Sequence, residues 1–152
     1  MNNYIIKEAS IGDAKEFYNL QLLAFESEAE MIGSREVPAL QESREHHRED
    51  FNNWKTLKLV DDAEVIIASI RYKVFDDMIE IGRVMTHPDH RLQGLAQKLL
   101  DEVDKTYPDK MKELYTCTKS WKNIRLYEKM GYESYSEVTE PSGLSFVYMR
   151  KK

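Results

Sequence analysis

The chain has little of several features that define whole classes of protein. It contains one cysteine, Cys117, which excludes an internal disulfide framework and a thiolate metal cage. It has no run of about 18 apolar residues that could span a membrane, and its amino-terminal residues lack the apolar stretch of a secretory signal peptide. The net charge of −5 disfavours bulk nucleic-acid binding, which requires a basic surface. These observations predict a cytoplasmic protein with neither a membrane nor a nucleic acid as partner.

The length and composition are those of an ordinary globular protein. Of 152 residues, 41% are hydrophobic and 32% are charged, and there is no internal repeat, low-complexity tract or Pro/Gly-rich linker. We therefore predict a single domain over residues 1–152, large enough to bury its own core.

Hydrophobic periodicity predicts an alternation of strands and helices. Strands are predicted at residues 4–9, 56–60, 65–74, 79–86, 114–118, 132–138 and 144–149. Helices are predicted to begin near Ala14, to follow Pro38, and to occupy residues 92–103 and 120–130, and residues 26–37 are expected to form an exposed loop. The crossover from the fourth strand to the fifth requires parallel neighbours. The predicted fold class is therefore α/β, with a mixed sheet and helices on both faces.

The most informative stretch is residues 84–97, where a strand ends, a short turn follows and a helix begins. The first turn of a helix has unpaired N–H groups and the positive end of the helix dipole, so it binds anions. Gly94 and Ala96 keep that turn open, and Arg91 and Gln93 add side-chain donors. The pattern suits a diphosphate, although it is neither a P-loop nor a dinucleotide fingerprint. The alternative is that Gly94 and Ala96 only allow close packing of helix on sheet.

Two motifs resemble those of the GNAT superfamily of N-acetyltransferases. The run Arg-Leu-Gln-Gly-Leu-Ala at residues 91–96 is similar to the family signature R/Q-x-x-G-x-G/A. Residues 120–132, which end in Leu-Tyr-Glu-Lys-Met-Gly-Tyr, resemble the closing helix of the family. The resemblance implies a GNAT-like acyl-CoA N-acyltransferase fold with six or seven strands. It also implies an enzyme that uses acetyl-CoA as co-substrate.

The resemblance further implies which residues would contact acetyl-CoA. In the family the strand before the signature splays from its neighbour, and its backbone pairs with the pantetheine arm. Ser120 and Asn123 would lie near the thiol, although Ser120 also suits the N-cap position of a helix. The positions implied as cofactor-binding are Val84, Met85, Thr86, Arg91, Leu92, Gln93, Gly94, Leu95, Ala96, Gln97, Ser120, Asn123 and Tyr127.

Two residues are candidates for catalysis. Tyr127 matches the family tyrosine that protonates or holds the departing thiolate, and its alternative is a core aromatic on an amphipathic helix. The amine must lose a proton before it attacks, and Glu80 is the candidate base, with ordered water as another route. Glu80 is equally compatible with an exposed strand position, and Glu28, on the predicted loop, is a weaker candidate base. Transfer is expected to be direct, so Cys117 is expected to be a core residue.

The acceptor is less defined than the cofactor. Between Glu26 and Asp50 there are eight acidic side chains and three arginines, which favours a cationic amine of a small molecule or peptide, or else a solvated helical face. The histidine pair at 46–47 is expected to be solvated. His87 and His90 fit a polar turn, so no metal is predicted. A homodimer is compatible with these features.

The alternative function is a non-catalytic module that senses acyl-CoA, because a fold alone does not establish catalysis. A nucleotide-binding protein is a third and weaker hypothesis.

Overall fold

The computed structural model describes residues 3–91 and 93–152, and a seven-stranded sheet forms its centre. The strands are β1 (Ile5–Glu8), β2 (Lys55–Val60), β3 (Ile66–Val74), β4 (Met78–Thr86), β5 (Met111–Cys117), β6 (Glu133–Thr139) and β7 (Ser145–Lys151). Their order in the sheet is β1-β2-β3-β4-β5-β7-β6. Only the β4–β5 pair is parallel, and every other neighbouring pair is antiparallel. The predicted mixed sheet and its parallel crossover are confirmed.

Five helices accompany the sheet in the described part of the chain. They are α1 (Ala14–Ile32), α2 (Pro38–Gln41), α3 (Arg44–Asp50), α4 (Leu95–Thr106) and α5 (Trp121–Lys129). None of these helices is both long enough and apolar enough to cross a membrane.

The first helix is longer than predicted. It runs to Ile32 and ends at Gly33, whose φ of 81° is the left-handed conformation typical of helix ends. The expectation of an exposed loop over residues 26–37 is therefore wrong for residues 26–32, and residues 33–37 form the connection to α2. The reason lies in the spacing, because Ala24, Glu28 and Ile32 recur every four residues and continue the buried stripe of α1. The acidic residues between them lie off that stripe.

The helix predicted after Pro38 is divided into two. The backbone is extended at residues 42–43, and Ser43 then caps α3 by accepting a hydrogen bond of 3.0 Å from the His46 amide. His47 is only 5% exposed and packs between the rings of Tyr18 and Phe51, so the expectation that it is solvated is wrong. His46 is exposed, as predicted.

The sheet has a hydrophobic cluster on each face. Consecutive residues of β2 show this, because Leu59 belongs to the cluster under α4 and α5, whereas Val60 belongs to the cluster under α1. Side chains alternate between the two faces of a strand, so these clusters lie on opposite sides. Helices therefore cover both faces, as predicted. A third cluster joins the end of α1 to Cys117 and Phe146.

Candidate active site

The site begins where β4 and β5 separate. These parallel strands are in register only over three pairs, from Met78 with Met111 to Glu80 with Glu113. Beyond these pairs β4 continues to Thr86 and β5 to Cys117, but the two strands no longer pair with each other. Each strand therefore presents backbone to the gap between them. A cavity of about 600 Å³ occupies this gap and reaches α1, α5 and the turn before α4. That volume is in the range of small-molecule sites.

A β-bulge in β4 shapes the wall of this cavity on the α1 side. In the register with β3, Ile70 pairs with Val84 and Tyr72 pairs with Ile81, so two residues of β4 oppose Arg71 alone. The two residues are Gly82 and Arg83, and both lie on the α1 side of the sheet. Arg83 donates to Gln21 of α1, and a Cβ at Gly82 would lie 2.9 Å from the Arg71 side chain.

The turn before α4 has the geometry of an anion site. A short 3₁₀ turn at Pro88–His90 follows β4, and α4 begins at Leu95, three residues later than Leu92, where the predicted helix starts. Gly94 has a φ of 72°, a conformation that favours glycine, and its carbonyl accepts the first helical hydrogen bond from Lys98 at 3.1 Å. The next three amides, of residues 95–97, precede the helical ladder and line the cavity.

Most of the residues predicted to bind acetyl-CoA are brought together at this one cavity. Those that line it are Val84, Met85, Thr86, Arg91, Gln93, Gly94, Leu95, Ala96, Gln97, Asn123 and Tyr127. Ser120 is fully buried next to it, and Leu92 lies outside the described residues. The Arg91 guanidinium donates to the Ala24 carbonyl of α1 at 3.3 Å, so its charge lies beside α1 as well as beside the turn.

A buried carboxylate links α1 to α5 at the inner end of the cavity. Oε1 of Glu28 accepts hydrogen bonds from the Ser120 hydroxyl at 2.5 Å and from Asn123 Nδ2 at 3.0 Å. Burial raises the pKa of Glu28, an effect that these hydrogen bonds and the charge of Arg91 partly offset. Two expectations are corrected here, because Glu28 lies on a helix rather than a loop, and the Ser120 hydroxyl bonds to Glu28 rather than capping α5.

The two predicted catalytic residues lie on opposite faces of the sheet and both line the cavity. Tyr127 is 6% exposed and packs within the core cluster under α4, so both interpretations of this residue fit its position. Burial, together with the negative charge of Glu28, raises the pKa of Tyr127. Glu80 is half-buried on the side of β4 that faces α1, at the last register pair before the strands separate.

Two carboxylates of the acidic segment at residues 26–50 are paired with arginines of the fold. Glu26 pairs with Arg35, and Glu42 accepts from Arg83 at 2.5 Å and from Gln21 at 2.9 Å. Burial by itself raises the pKa of Glu42, but the Gln21 hydrogen bond and the charge of Arg83 lower it to about 2. These carboxylates therefore have partners within the fold and give little support to a field that would attract a cationic acceptor.

The described residues contain no group of three or more His, Cys, Asp or Glu side chains that could hold a metal ion. His87 and His90 lie with their rings edge to face at 5.5 Å in the turn after β4. His87 Nδ1 accepts from the Asp89 amide at 3.1 Å, which stabilises that turn.

The cavity-wall residues that sequence reasoning missed include Trp54 and Arg71. The Arg71 guanidinium stacks on the Trp54 ring, with 4.3 Å between its central carbon and the ring centroid. The available signal was Gly82 within a strongly predicted strand, since an isolated strand glycine often marks a bulge or a close approach of neighbouring groups.

Comparison with known proteins agrees with this geometry. The family model described as acetyltransferase (GNAT) domain matches residues 26–152. The PaiA N-acetyltransferase of Thermoplasma acidophilum, solved in complex with coenzyme A, superposes with a TM-score of 0.79 at 18% identity over 99% of both chains. The ribosomal-protein-S18-alanine N-acetyltransferase of Escherichia coli gives a TM-score of 0.76 at 16% identity, over 98% of this chain and 93% of that chain.

A sequence relative, the UPF0157 protein YqkA of Bacillus subtilis (strain 168), is 30% identical over 143 residues. The match covers 91% of this chain but only 39% of that protein.

The fold and the split between β4 and β5 are those of a GNAT acetyltransferase domain. The chain belongs to the GNAT acetyltransferase family.

Proposed function

We propose that this chain transfers the acetyl group of acetyl-CoA directly to a primary amine of a small molecule or peptide, with residues 1–152 acting as one domain. The observation that carries the proposal is the gap between β4 and β5. One cavity combines the backbone of β4 and β5 that does not pair across the gap, the open amino terminus of α4 and a buried tyrosine. The structural neighbour from Thermoplasma acidophilum, which was solved with coenzyme A, has the same fold.

The diphosphate of acetyl-CoA would lie at the turn before α4, on the amides of residues 93–97. Leu92, also predicted for this contact, lies outside the described residues. The backbone of Val84 and Thr86, with Met85 between them, would pair with the pantetheine arm. An N–H group in this part of β4 would polarise the thioester carbonyl. Asn123 and Ser120 would lie near the sulfur, held in place by Glu28.

The chemistry proposed at this site removes two protons from the ammonium form of the acceptor and gives one to the leaving group. Glu80, directly or through a water, takes the first proton from the ammonium and passes it to solvent. The neutral amine then forms a C–N bond with the thioester carbon, the C–S bond breaks, and the nitrogen loses its second proton to solvent as the amide forms. Tyr127 gives its proton to the departing sulfur and is reprotonated from solvent. Glu28 is the alternative base, since its raised pKa suits a proton acceptor near neutral pH.

The direct test measures thiol release after mixing the protein with acetyl-CoA and a panel of primary amines. We expect release that depends on both substrates, and a rise of the melting temperature with coenzyme A that ATP does not reproduce. If acetyl-CoA raised the melting temperature but no amine led to thiol release, the chain would instead be a non-catalytic module that senses acyl-CoA. If coenzyme A caused no melting shift and no amine led to thiol release, the N-acetyltransferase activity proposed for this chain would be refuted.

Direct transfer also predicts the behaviour of Cys117, which is 3% exposed and lies at the cavity wall. A Cys117→Ala variant is expected to keep kcat/KM within about twofold of the unmodified enzyme, because no acetyl-cysteine intermediate forms. The measurement is steady-state thiol release, with the melting temperature recorded to account for the lost packing volume. A loss of turnover in a folded variant would show a covalent route.

A further inference from the structure

Arg71 is a buried cation that the fold leaves short of partners. Its side chain is 16% exposed and lines the cavity on the α1 side of the sheet. Its Nε is buried and has no hydrogen-bond partner within the described part of the chain. The nearest carboxylate oxygen, Oδ2 of Asp50, is 3.7 Å from Arg71 Nη1, beyond hydrogen-bond distance, and already accepts from the Trp54 indole at 3.0 Å.

The neighbouring arginine, Arg83, has the hydrogen-bond partners that Arg71 lacks. Arg83 donates to Glu42 at 2.5 Å and to Gln21 at 3.0 Å, so its charge is neutralised within the fold. Arg71 has only an aromatic face and a distant carboxylate in place of such a pair. Burial and the charge of Arg83 together lower the pKa of Arg71 to about 10, and the negative charges of Glu42 and Asp50 offset this only in part.

The fold nevertheless holds Arg71 in a fixed position. A Cβ at Gly82 would lie 2.8 Å from Trp54 Cζ3 and 2.9 Å from Arg71 Cγ, so the stack of arginine on tryptophan exists only because position 82 has no side chain. The indole is itself anchored by its hydrogen bond to Asp50. The guanidinium is therefore positioned before any ligand arrives, which reduces the entropy lost on binding.

The charge of the cavity wall favours an anionic group in the acceptor. Among the described lining residues, five basic side chains face two carboxylates. The basic ones are Arg71, Arg83, Arg91, Lys122 and Lys129, and the acidic ones are Glu28 and Glu80. Arg91 lies at the proposed diphosphate turn, Arg83 is paired with Glu42, and α5 carries the two lysines, which leaves Arg71 as the cation on the α1 side of the cavity.

We propose that Arg71 binds the carboxylate of an acceptor that carries an amine and a carboxylate on the same small unit, as an amino acid does. This inference rests on the function proposed above. A guanidinium presents parallel N–H donors that match the two oxygens of a carboxylate. One arginine without a hydrogen-bonded carboxylate neutralises one negative charge, which fits a carboxylate better than a doubly charged phosphate. With its carboxylate on Arg71, the acceptor would place its amine towards Glu80, which lies on the same side of the sheet.

The test compares each free amino acid with its carboxamide, which keeps the amine and the side chain but removes the charge. Peptides ending in lysine form a separate arm, because a carboxyl-terminal lysine also combines both groups in one residue. The readout is kcat/KM from thiol release at fixed acetyl-CoA. We expect at least one acid to exceed its amide by about 10- to 100-fold, the value of a charge-assisted hydrogen-bonded pair.

An Arg71→Gln variant is expected to abolish that preference by lowering kcat/KM for the acid and leaving the amide unchanged. The KM for acetyl-CoA is expected to stay the same, which separates loss of acceptor binding from general damage. Lys73→Gln is the matched control, since Lys73 also lies 4.3 Å from the Trp54 ring centroid but does not line the cavity.

Three results would overturn the assignment: equal turnover of acids and amides, an acid preference that persists in Arg71→Gln, or turnover restricted to amines without a carboxylate. The wild-type comparison stands even if the variant fails to fold. Failure of the proposed function gives a different pattern, in which no amine of any kind releases thiol and coenzyme A does not raise the melting temperature.

Discussion

Replacement of Tyr127 by phenylalanine is expected to lower kcat by about 10²-fold, the low end of the range for general acid catalysis. A thiol is a fairly good leaving group, with a pKa of about 8.5 in model compounds, so the benefit of protonating it is moderate. The raised pKa of Tyr127 keeps the phenol protonated at neutral and mildly alkaline pH. The loss is therefore expected to be constant from about pH 6 to pH 9, because the phenol does not titrate there.

The control for this variant lies in the same cluster. Tyr132 packs edge to face on Tyr127 at 5.9 Å between ring centroids, and its buried hydroxyl has no hydrogen-bond partner among the described residues. Tyr132→Phe removes an equivalent hydroxyl and is expected to leave kcat unchanged. If both variants lost the same activity, or if Tyr127→Phe changed only the KM for acetyl-CoA, the proton-donor role would be refuted.

A Glu80→Gln variant is expected to lower kcat/KM for the amine about 10²-fold at pH 7, since the amide of glutamine accepts no proton. The deficit is expected to shrink as pH rises through the pKa of the acceptor, about 8 for an α-amine and about 10 for a lysine side chain. Above that pH the amine is already neutral and needs no base. The measurement is a pH–rate profile of kcat/KM for enzyme and variant side by side.

Glu113 is the matched control for Glu80, because the two residues are register partners across β4 and β5. Glu113 is held instead by the Tyr135 hydroxyl at 2.6 Å and by Arg150 Nε at 3.1 Å. Glu113→Gln is expected to keep the wild-type pH profile. Should the pH-dependent loss appear in Glu28→Gln and not in Glu80→Gln, the buried carboxylate on α1 would be the base.

Most of the fold was predictable because its signals are periodic and local. Alternating apolar residues in β3 and β4 set the strands, and the stripe of Leu95, Leu99 and Val103 set α4. The anion-binding turn was predictable as well, because it depends on consecutive residues around Gly94. The crossover between the fourth and fifth strands predicted the parallel pair, and the family motifs added the position of Tyr127. The family model and the neighbours confirm the family and the fold.

The parts that were not predicted depend on contacts between distant segments. The carboxylate of Glu28 meets Ser120, which is 92 residues away, so the loss of the Ser120 cap does not follow from local spacing. The bulge that pairs Gly82 and Arg83 against one residue of β3 interrupts the alternation on which strand prediction depends. Arg71 was not predicted to line the cavity, because an arginine on a strand is ordinarily exposed.

The short register between β4 and β5 has a thermodynamic consequence. Three rungs of backbone pairing connect a four-stranded half of the sheet to a three-stranded half, and the ladder then stops while both strands continue. A pantetheine chain hydrogen-bonded to both strands in the gap would replace backbone hydrogen bonds that β4 and β5 do not make with each other. Cofactor binding would then add to the free energy of unfolding, by an amount set by its affinity and concentration.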